Sequence, residues 1–407
     1  MPHEPLPDPT GITSGAATLD GALGRDLCAL TMGMDALERR LSGGEGALDS
    51  EGLVPIYLGQ DLAPPAALNG WPEAFERLDA LDAQAQGLPQ GPRRVFVAAM
   101  IDSLRAAAQL FDGQELSFAE KLERLVGVPS GPVEAAVMDA LAADLDAALT
   151  GAGFGAGRLS ERARRWEDQR ALPPEEVIPL TDRLMLEARE RTNATVFNTG
   201  DYNMSVRPVS GVPYTARCSF NDGQMDLNLD IRFTAAALKH LVCHEVFPGH
   251  STQLLYTLHG AQSGSSTLDA LLCTANAATG AVQEGIGDQG QELIDWVQDA
   301  DDSVQLGLRA LRSAAATSAA WHQMGDGWAL ERVRDYLNKT AFPQAAWVEG
   351  RLRFAAHPFK GAFIASYWFG DRAVREARLR AGQDRRQEFI TFLYGEMNTP
   401  ASLRAWA

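Results

Sequence analysis

The sequence predicts a mainly α-helical fold with one small β-hairpin in its second half. Apolar residues recur with helical periodicity along most of the chain, and Gly and Pro separate these segments. Between about residues 192 and 230 the pattern changes to β-branched and aromatic residues interspersed with Gly and Pro, which is typical of strands and turns. The 407 residues are 45% hydrophobic and 22% charged and show no internal repeat, so the chain has enough apolar surface for a full core.

Helices are expected throughout the first half, up to about Arg191. Residues 16–42 predict the first helix, because their periodicity ends at the glycine-rich turn 42–44. Four more amphipathic segments follow at 72–86, 92–111, 117–125 and 130–150. The glycine-rich stretch 151–157 follows a helix and lacks the Gly-Lys-Ser/Thr ending of a phosphate-binding loop, so we expect a flexible connection there. Pro173–Pro174 then open a helix.

The predicted hairpin lies between this helix and the next one. Residues 214–220 and 225–229 alternate in polarity around the turn signal Asn221-Asp222-Gly223, and therefore predict two antiparallel strands. Thr234 provides an N-cap for a helix over residues 235–247. The hairpin either forms the wall of a cleft, with an edge that pairs an extended peptide, or only covers this helix.

The most informative segment is His244-Glu245-Val246-Phe247-Pro248-Gly249-His250. It is similar to the zinc-peptidase motif His-Glu-x-x-His, with two extra residues before the second histidine. Histidines at i and i+6 lie about 240° apart around a straight helix, which does not direct both rings to one ion. Pro248 lacks an N–H and Gly249 has wide backbone freedom, so we expect the helix to break or kink there and return His250 to the metal. The alternative is a helix end with a capping His and a Glu on a solvated face.

The residue types around this motif fit a metal centre. Zinc binds imidazole nitrogens and carboxylate oxygens, and a catalytic site keeps a position for water, from which Glu245 is placed to take a proton. The best candidate for a third ligand is Glu284, in Gln283-Glu284-Gly285-Ile286-Gly287-Asp288. Asp288 lies at i+4 on the same helix face, where it can accept the second ring N–H of a ligand histidine. The alternative for these two carboxylates is an ordinary acidic helix face.

Further side chains are weaker candidates. His240 shares a helix face with His244 and is a ligand, a supporting group or a structural residue. Tyr367 lies among small and aromatic residues and is the candidate donor to a developing oxyanion, or else a packed core residue. Arg372 is a candidate for binding a substrate carboxylate, or forms a surface ion pair. Gly285 and Gly287 each cost about 1 kcal/mol of helix propensity, which indicates that another helix or a substrate approaches closely.

Charge and cysteine content limit the classes of function. The net charge of −17 argues against nucleic acid and anionic membranes as partners, since both require a basic patch. Cysteines 28, 218, 243 and 273 show no Cys-x-x-Cys spacing and are expected to be small buried residues. Residues 1–15 lack a basic start followed by an apolar run, and no run of about 18 apolar residues occurs elsewhere. We therefore expect a cytoplasmic protein.

Together these residues resemble the bacterial domain-of-unknown-function 885 family, a largely uncharacterised group of mainly helical proteins classed as zinc hydrolases. The resemblance covers about residues 170–407, and its most specific element is His-Glu-x-x-Pro-Gly-His at 244–250. The other matching segments are 219–223, 226–230, 284–287, 366–370 and 389–395. The resemblance implies that His244, His250 and Glu284 bind one zinc ion, with Glu245 as the base. It also implies that Asn228, in the hairpin, contacts the substrate.

The chain departs from the family pattern in three places. Ile286 replaces the usual Trp, Ser251 stands where a further His often follows, and the N-terminal part is short. The first departure affects the shape of the pocket. The second leaves His250 as the ligand candidate of that segment.

We therefore expect a zinc-dependent hydrolase of the peptidase type that cleaves a peptide or amide bond in a small substrate. One alternative is an enzyme that acts on a non-peptide metabolite with iron or manganese, since two His and one carboxylate also bind non-haem iron. Another is a non-catalytic, metal-binding helical protein. Residues 1–150 are expected to form an N-terminal helical lobe and residues 151–407 the metal-binding catalytic region, within one continuous domain.

Overall fold

The protein is mainly helical in its computed structural model, with 64% helix and 6% strand, which confirms the predicted fold class. The structure describes residues 19–44, 46–48, 52–59, 62–212, 214–274, 276–343 and 345–406, without the side chains of 345 and 346. Residues 1–15, on which the expectation about a signal peptide rested, lie outside this part. No helix among the described residues is both long and apolar enough to cross a membrane.

The helices follow one another with short connections. They are α1 (Leu23–Leu41), α2 (Trp71–Gln86), α3 (Pro92–Phe111), α4 (Phe118–Glu120), α5 (Ala135–Gly151), α6 (Leu159–Arg170), α7 (Pro174–Thr195), α8 (Ala235–Glu245), α9 (His250–Ser263), α10 (Gly280–Asp288), α11 (Gly290–Leu293), α12 (Ala300–Met324), α13 (Leu330–Thr340), α14 (Ala345–Ala355), α15 (Ile364–Ala381), α16 (Arg386–Gly395) and α17 (Pro400–Ala405). A π-helical turn, Lys121–Val126, continues α4.

The predicted helices agree with this order. The segments expected at 72–86 and 92–111 form α2 and α3 almost residue for residue, since Gly and Pro mark their beginnings. The segment expected at 130–150 begins only at Ala135, because Pro132 lies before it. Residues 152–158 connect α5 to α6, as expected for the glycine-rich stretch.

The strands form two small sheets. The predicted hairpin is confirmed: β3 (Ala216–Ser219) pairs antiparallel with β4 (Gln224–Asn228) across the expected turn. A strand that was not predicted, β2 (Ser205–Val209), pairs parallel with the other edge of β4, which gives the order β2-β4-β3. The second sheet pairs β1 (Ile56–Tyr57) with β5 (Leu272–Cys273).

The hydrophobic cores connect the two halves of the chain. Helices α1, α2 and α3 share one core, which also includes Ala277, Phe359 and Met397 from the second half. Helix α5 packs against α12 through Leu145 and Leu149. A further core surrounds the end of α8 and joins it to α10, α15 and α16. The division at about residue 150 stays a prediction.

Candidate metal centre

The helix that carries the first histidine ends before the second one. Helix α8 ends at Glu245 and α9 begins at His250, so the predicted break at Pro248–Gly249 is present. Position 249 requires glycine, because the chain passes so close to the end of α8 that a Cβ atom here would overlap with the backbone carbonyl of His244. The chain therefore turns back on the end of α8, and the two histidine rings come to 4.8 Å between centroids.

Side chains satisfy the carbonyl groups that the break leaves free. The Ser251 hydroxyl donates to the Glu245 carbonyl at 3.2 Å, and the Thr252 hydroxyl donates to the Val246 carbonyl at 2.8 Å. The buried Tyr394 hydroxyl donates to the Pro248 carbonyl at 2.9 Å. These bonds stabilise the turn, since buried carbonyl groups without a donor cost free energy.

Three side chains from α8, α9 and α10 converge on one point. Nε2 of His244 lies 3.2 Å from Oε2 of Glu284, and Nε2 of His250 lies 3.9 Å from the same oxygen. All three ligand atoms lie within 4.8 Å of one another. Ligands at about 2.0–2.1 Å from a tetrahedral zinc ion are about 3.3 Å apart, so the two distances to Oε2 are close to those of a zinc site.

The carboxylate itself supports this assignment. Oε2 of Glu284 is buried and faces a ring nitrogen of each histidine. A cation at the shared point would compensate this buried negative charge. Helix α10 reaches this position because Gly285 packs directly against the backbone of Gly370 in α15.

Asp288 faces the other nitrogen of the His244 ring. Its Oδ1 lies 2.7 Å from Nδ1 of His244 and 2.5 Å from Nη2 of Arg309. The ring of His240 lies 5.8 Å from that of His244 between centroids, and its Nε2 faces the same guanidinium of Arg309. His240, His244 and Asp288 also cluster as a second possible metal group, but Arg309 already supplies the positive charge there.

The protonation states follow from these contacts. Burial alone would raise the pKa of Asp288, but Arg309 and His244 hold it well below its usual range, so this carboxylate is ionised. Burial opposes protonation of His244, but its contacts with Asp288 and Glu284 raise the pKa to about 10, so a cation at Nε2 would have to displace a proton from this ring. Burial and the charge of Arg309 lower the pKa of His240 well below its usual value, so this ring is neutral.

A cavity of about 910 Å³ opens on these ligands. Glu245, His250 and Glu284 line it together with Tyr367, so the structure places the predicted base, two ligands and the predicted oxyanion donor on one cavity. The N-terminal region contributes Pro55 and Ile56 to the wall, and Ile286 lines it at the position where the family carries Trp. Its volume is within the range of small-molecule sites.

Tyr367 is a suitable hydrogen-bond donor in this cavity. The negative charge of Glu284 and burial raise the pKa of the phenol against the opposing charge of Arg351, so the hydroxyl keeps its proton. The guanidinium of Arg351 lies 5.9 Å from the centre of the Tyr367 ring and 5.2 Å from that of Trp347. Arg351 forms no ion pair with the described residues, and burial lowers its pKa.

Two residues that were predicted to contact the substrate, Asn228 and Arg372, are not among those that line the cavity. Asn228 is buried, donates to the carbonyls of Val212 and Tyr214 at 3.1 and 3.0 Å, and accepts from the Asp230 amide. Its amide therefore holds the end of the sheet. Arg372 is exposed and pairs with Glu376 at 2.8 Å. It lies five residues from Tyr367, about 140° around α15, and so faces away from the cavity.

Several side chains of the site were not identified from the sequence. Arg309 and Arg351 come from α12 and α14, where no local pattern distinguishes them from surface arginines. Cys218 and Cys273, expected to be buried, are half-buried and line the cavity, each with a free thiol. The alternation of the predicted hairpin could have indicated Cys218, since it places this residue on the same face as Phe220.

The fold has counterparts among solved structures. The chain matches a "putative lipoprotein" from Colwellia psychrerythraea at 16% identity with a TM-score of 0.54, over 81% of this chain and 59% of the other. It matches a "putative lipoprotein of unknown function" from Shewanella oneidensis at 16% identity and a TM-score of 0.53, over 82% and 70%. No protein-family model and no curated protein sequence matches the chain. At this identity the likeness shows the fold alone, and the chain spans about three fifths of the Colwellia protein.

Proposed function

We propose that the protein is a zinc-dependent hydrolase that cleaves a peptide or amide bond in a small substrate. The convergence of His244, His250 and Glu284, two of which line the cavity, carries this proposal. Two imidazoles and one carboxylate are a common ligand set of catalytic zinc, with a position left for water. A divalent cation held there would supply Lewis-acid activation of a water molecule and of the substrate carbonyl.

The remaining groups fit hydrolysis. Glu245 ends α8 beside the ligands and lines the cavity, so its carboxylate can take a proton from the attacking water and deliver it to the leaving amine. Tyr367 keeps its proton and lines the same cavity, so its hydroxyl can donate to the oxygen that becomes negative. Asp288 contacts Nδ1 of His244 and so leaves Nε2 as the nitrogen that would hold a cation.

A small substrate is favoured by the dimensions and lining of the cavity. A volume of about 910 Å³ accommodates a short peptide, and Phe220, Leu254 and Val282 provide apolar contacts. The resemblance of residues 244–250 to the family motif supports the same reaction class, because it includes the base and both histidines.

The Glu245→Gln variant tests this proposal. Glutamine keeps the size of the side chain but cannot take the proton, so turnover of short peptides should fall at least about 10²-fold. Zinc content, measured by mass spectrometry, should stay at the wild-type value because Glu245 is not a ligand. Equal activity, or equal inactivity, of the wild type and the variant on a broad panel of peptides and amides would contradict the proposal.

A further inference from the structure

Asn276 is a polar residue of the cavity wall that the proposed chemistry does not use. It precedes α10, is only 5% exposed and lines the cavity. Its side-chain amide makes no hydrogen bond with any described residue. A ligand in the cavity can supply the hydrogen bonds that this amide lacks.

The chemistry of this side chain defines what it can bind. An amide offers two N–H donors and a carbonyl acceptor, and a peptide group offers the complementary acceptor and donor. A carboxylate only accepts hydrogen bonds and would leave the Asn276 carbonyl unpaired. The side-chain amide of Gln283, which also lines the cavity, donates to Met397 Sδ at 3.7 Å and accepts from Cys273 Sγ at 3.9 Å, so a second amide of this wall is weakly bonded.

The position of Asn276 sets its distance from the reacting bond. Glu284 lies four residues into α10, about 6 Å along the helix axis, and Asn276 lies one turn of chain before this helix. The separation is therefore on the order of 10 Å, which an extended chain covers in about three residues.

We propose that Asn276 binds a main-chain peptide group of the substrate about three residues from the bond that is cleaved. The inference rests on the proposed function and defines the substrate class as peptides that are long enough to reach this side chain. Dipeptides would be bound at the metal centre alone.

The backbone at this position permits a clean substitution. Asn276 has φ of 58°, in the left-handed region that Gly adopts without strain. Asn276→Gly therefore removes the amide and preserves the turn. Asp295, exposed and with φ of 52°, is the matched control, since Asp295→Gly makes the same kind of change far from the cavity wall.

The test uses acetylated peptide amides of two to five residues with the zinc-loaded protein. In the wild type kcat/KM should rise with length up to four or five residues. Asn276→Gly should lower kcat/KM 10–100-fold for the long peptides, mainly by raising KM, and less than twofold for the dipeptide. Asp295→Gly should match the wild type. An equal loss on all lengths, or no loss on any, would overturn the proposal.

Binding separates this inference from the proposed reaction. In the Glu245→Gln background, calorimetry should show at least tenfold weaker binding of the pentapeptide amide when Asn276 is also replaced by Gly. If the wild type cleaves no peptide but this difference in binding is observed, the inference about Asn276 stands and the proposed hydrolase function is refuted. Stronger binding of the free acid that depends on Arg353 and not on Asn276 would overturn the inference, since Arg353 also lines the cavity.

Discussion

Gly287 and His244 are in such close contact that a Cβ atom at position 287 would lie 2.7 Å from Nδ1 of the histidine ring. The ring is therefore enclosed between the backbone of α10 and the carboxylate of Asp288, 2.7 Å from the same nitrogen. Glycine at this position lowers helix propensity but allows His244 to lie against α10, the helix that carries Glu284.

Gly287→Ala should displace the His244 ring. Because the added carbon meets the ring itself, we expect zinc affinity to fall about 10–100-fold, the range seen when supporting groups of a metal site are disturbed. Competition with a fluorescent chelator measures this. Gly151→Ala is the control, since a Cβ atom there meets nothing within 4 Å. Unchanged affinity in Gly287→Ala would contradict the described packing.

Asp288→Asn should weaken zinc binding without removing a ligand. The substitution deletes the charge that faces Nδ1 of His244 and leaves Arg309 without its ion pair. We expect a 10–100-fold loss of affinity, measured by the same competition. Asp295→Asn should have no effect, because that carboxylate is 60% exposed and its one ion pair in the described part of the chain is with Arg386. A loss of equal size in both variants would indicate a general effect of net charge.

Tyr367→Phe should lower kcat by about 10²–10³-fold with zinc content unchanged, because it removes a donor to the oxyanion. Arg351→Gln should act through the same residue, since its guanidinium lies over the Tyr367 ring. In a double-mutant cycle, Arg351→Gln should lower kcat several-fold in the wild-type background. It should lower kcat hardly at all in the Tyr367→Phe background. Additive losses would show that Arg351 acts independently of Tyr367.

Glu292 should make the metal-free protein less stable as pH rises. Burial and the charge of Asp371 raise its pKa from 4.5 to about 7, so the folded state binds its proton more tightly than the unfolded state does. Stability is therefore lost between about pH 4.5 and 7. Glu292→Gln should raise the free energy of unfolding at pH 8 by about 1–3 kcal/mol and change it little at pH 4.

Urea denaturation of the chelator-treated protein at both pH values measures this effect. Glu388→Gln is the control, since that side chain is 66% exposed. A stabilisation by Glu292→Gln that is equal at both pH values would show that the proton of Glu292 is not its cause.

The local parts of this structure were predictable from the sequence. Helix periodicity, the Asn-Asp-Gly turn and the Thr234 cap are short-range signals, and each appears where expected; Thr234 Oγ1 accepts from the Ala237 amide at 3.0 Å. The helix break was predictable because the spacing of the two histidines requires one. Strand β2 was missed because its pairing with β4 is parallel and no turn joins the two strands.

The surroundings of the site depend on contacts between distant segments. Arg309, Arg351 and Asn276 reach the site from three different elements, and none carries a local signal. Arg372 was assigned to the substrate from its chemistry, but its angle around α15 directs it to the surface. Asn228 was assigned by resemblance, and its side-chain amide donates to the carbonyls of Val212 and Tyr214 instead.

Zinc content is the most direct test of the central claim, that a broken helix brings His244 and His250 to one ion with Glu284. Mass spectrometry should find one zinc ion per chain after incubation with zinc and removal of the excess. It should find less than about a tenth of that in His250→Ala and in Glu284→Ala. A wild-type protein without stoichiometric metal, or variants that retain it in full, would contradict the account.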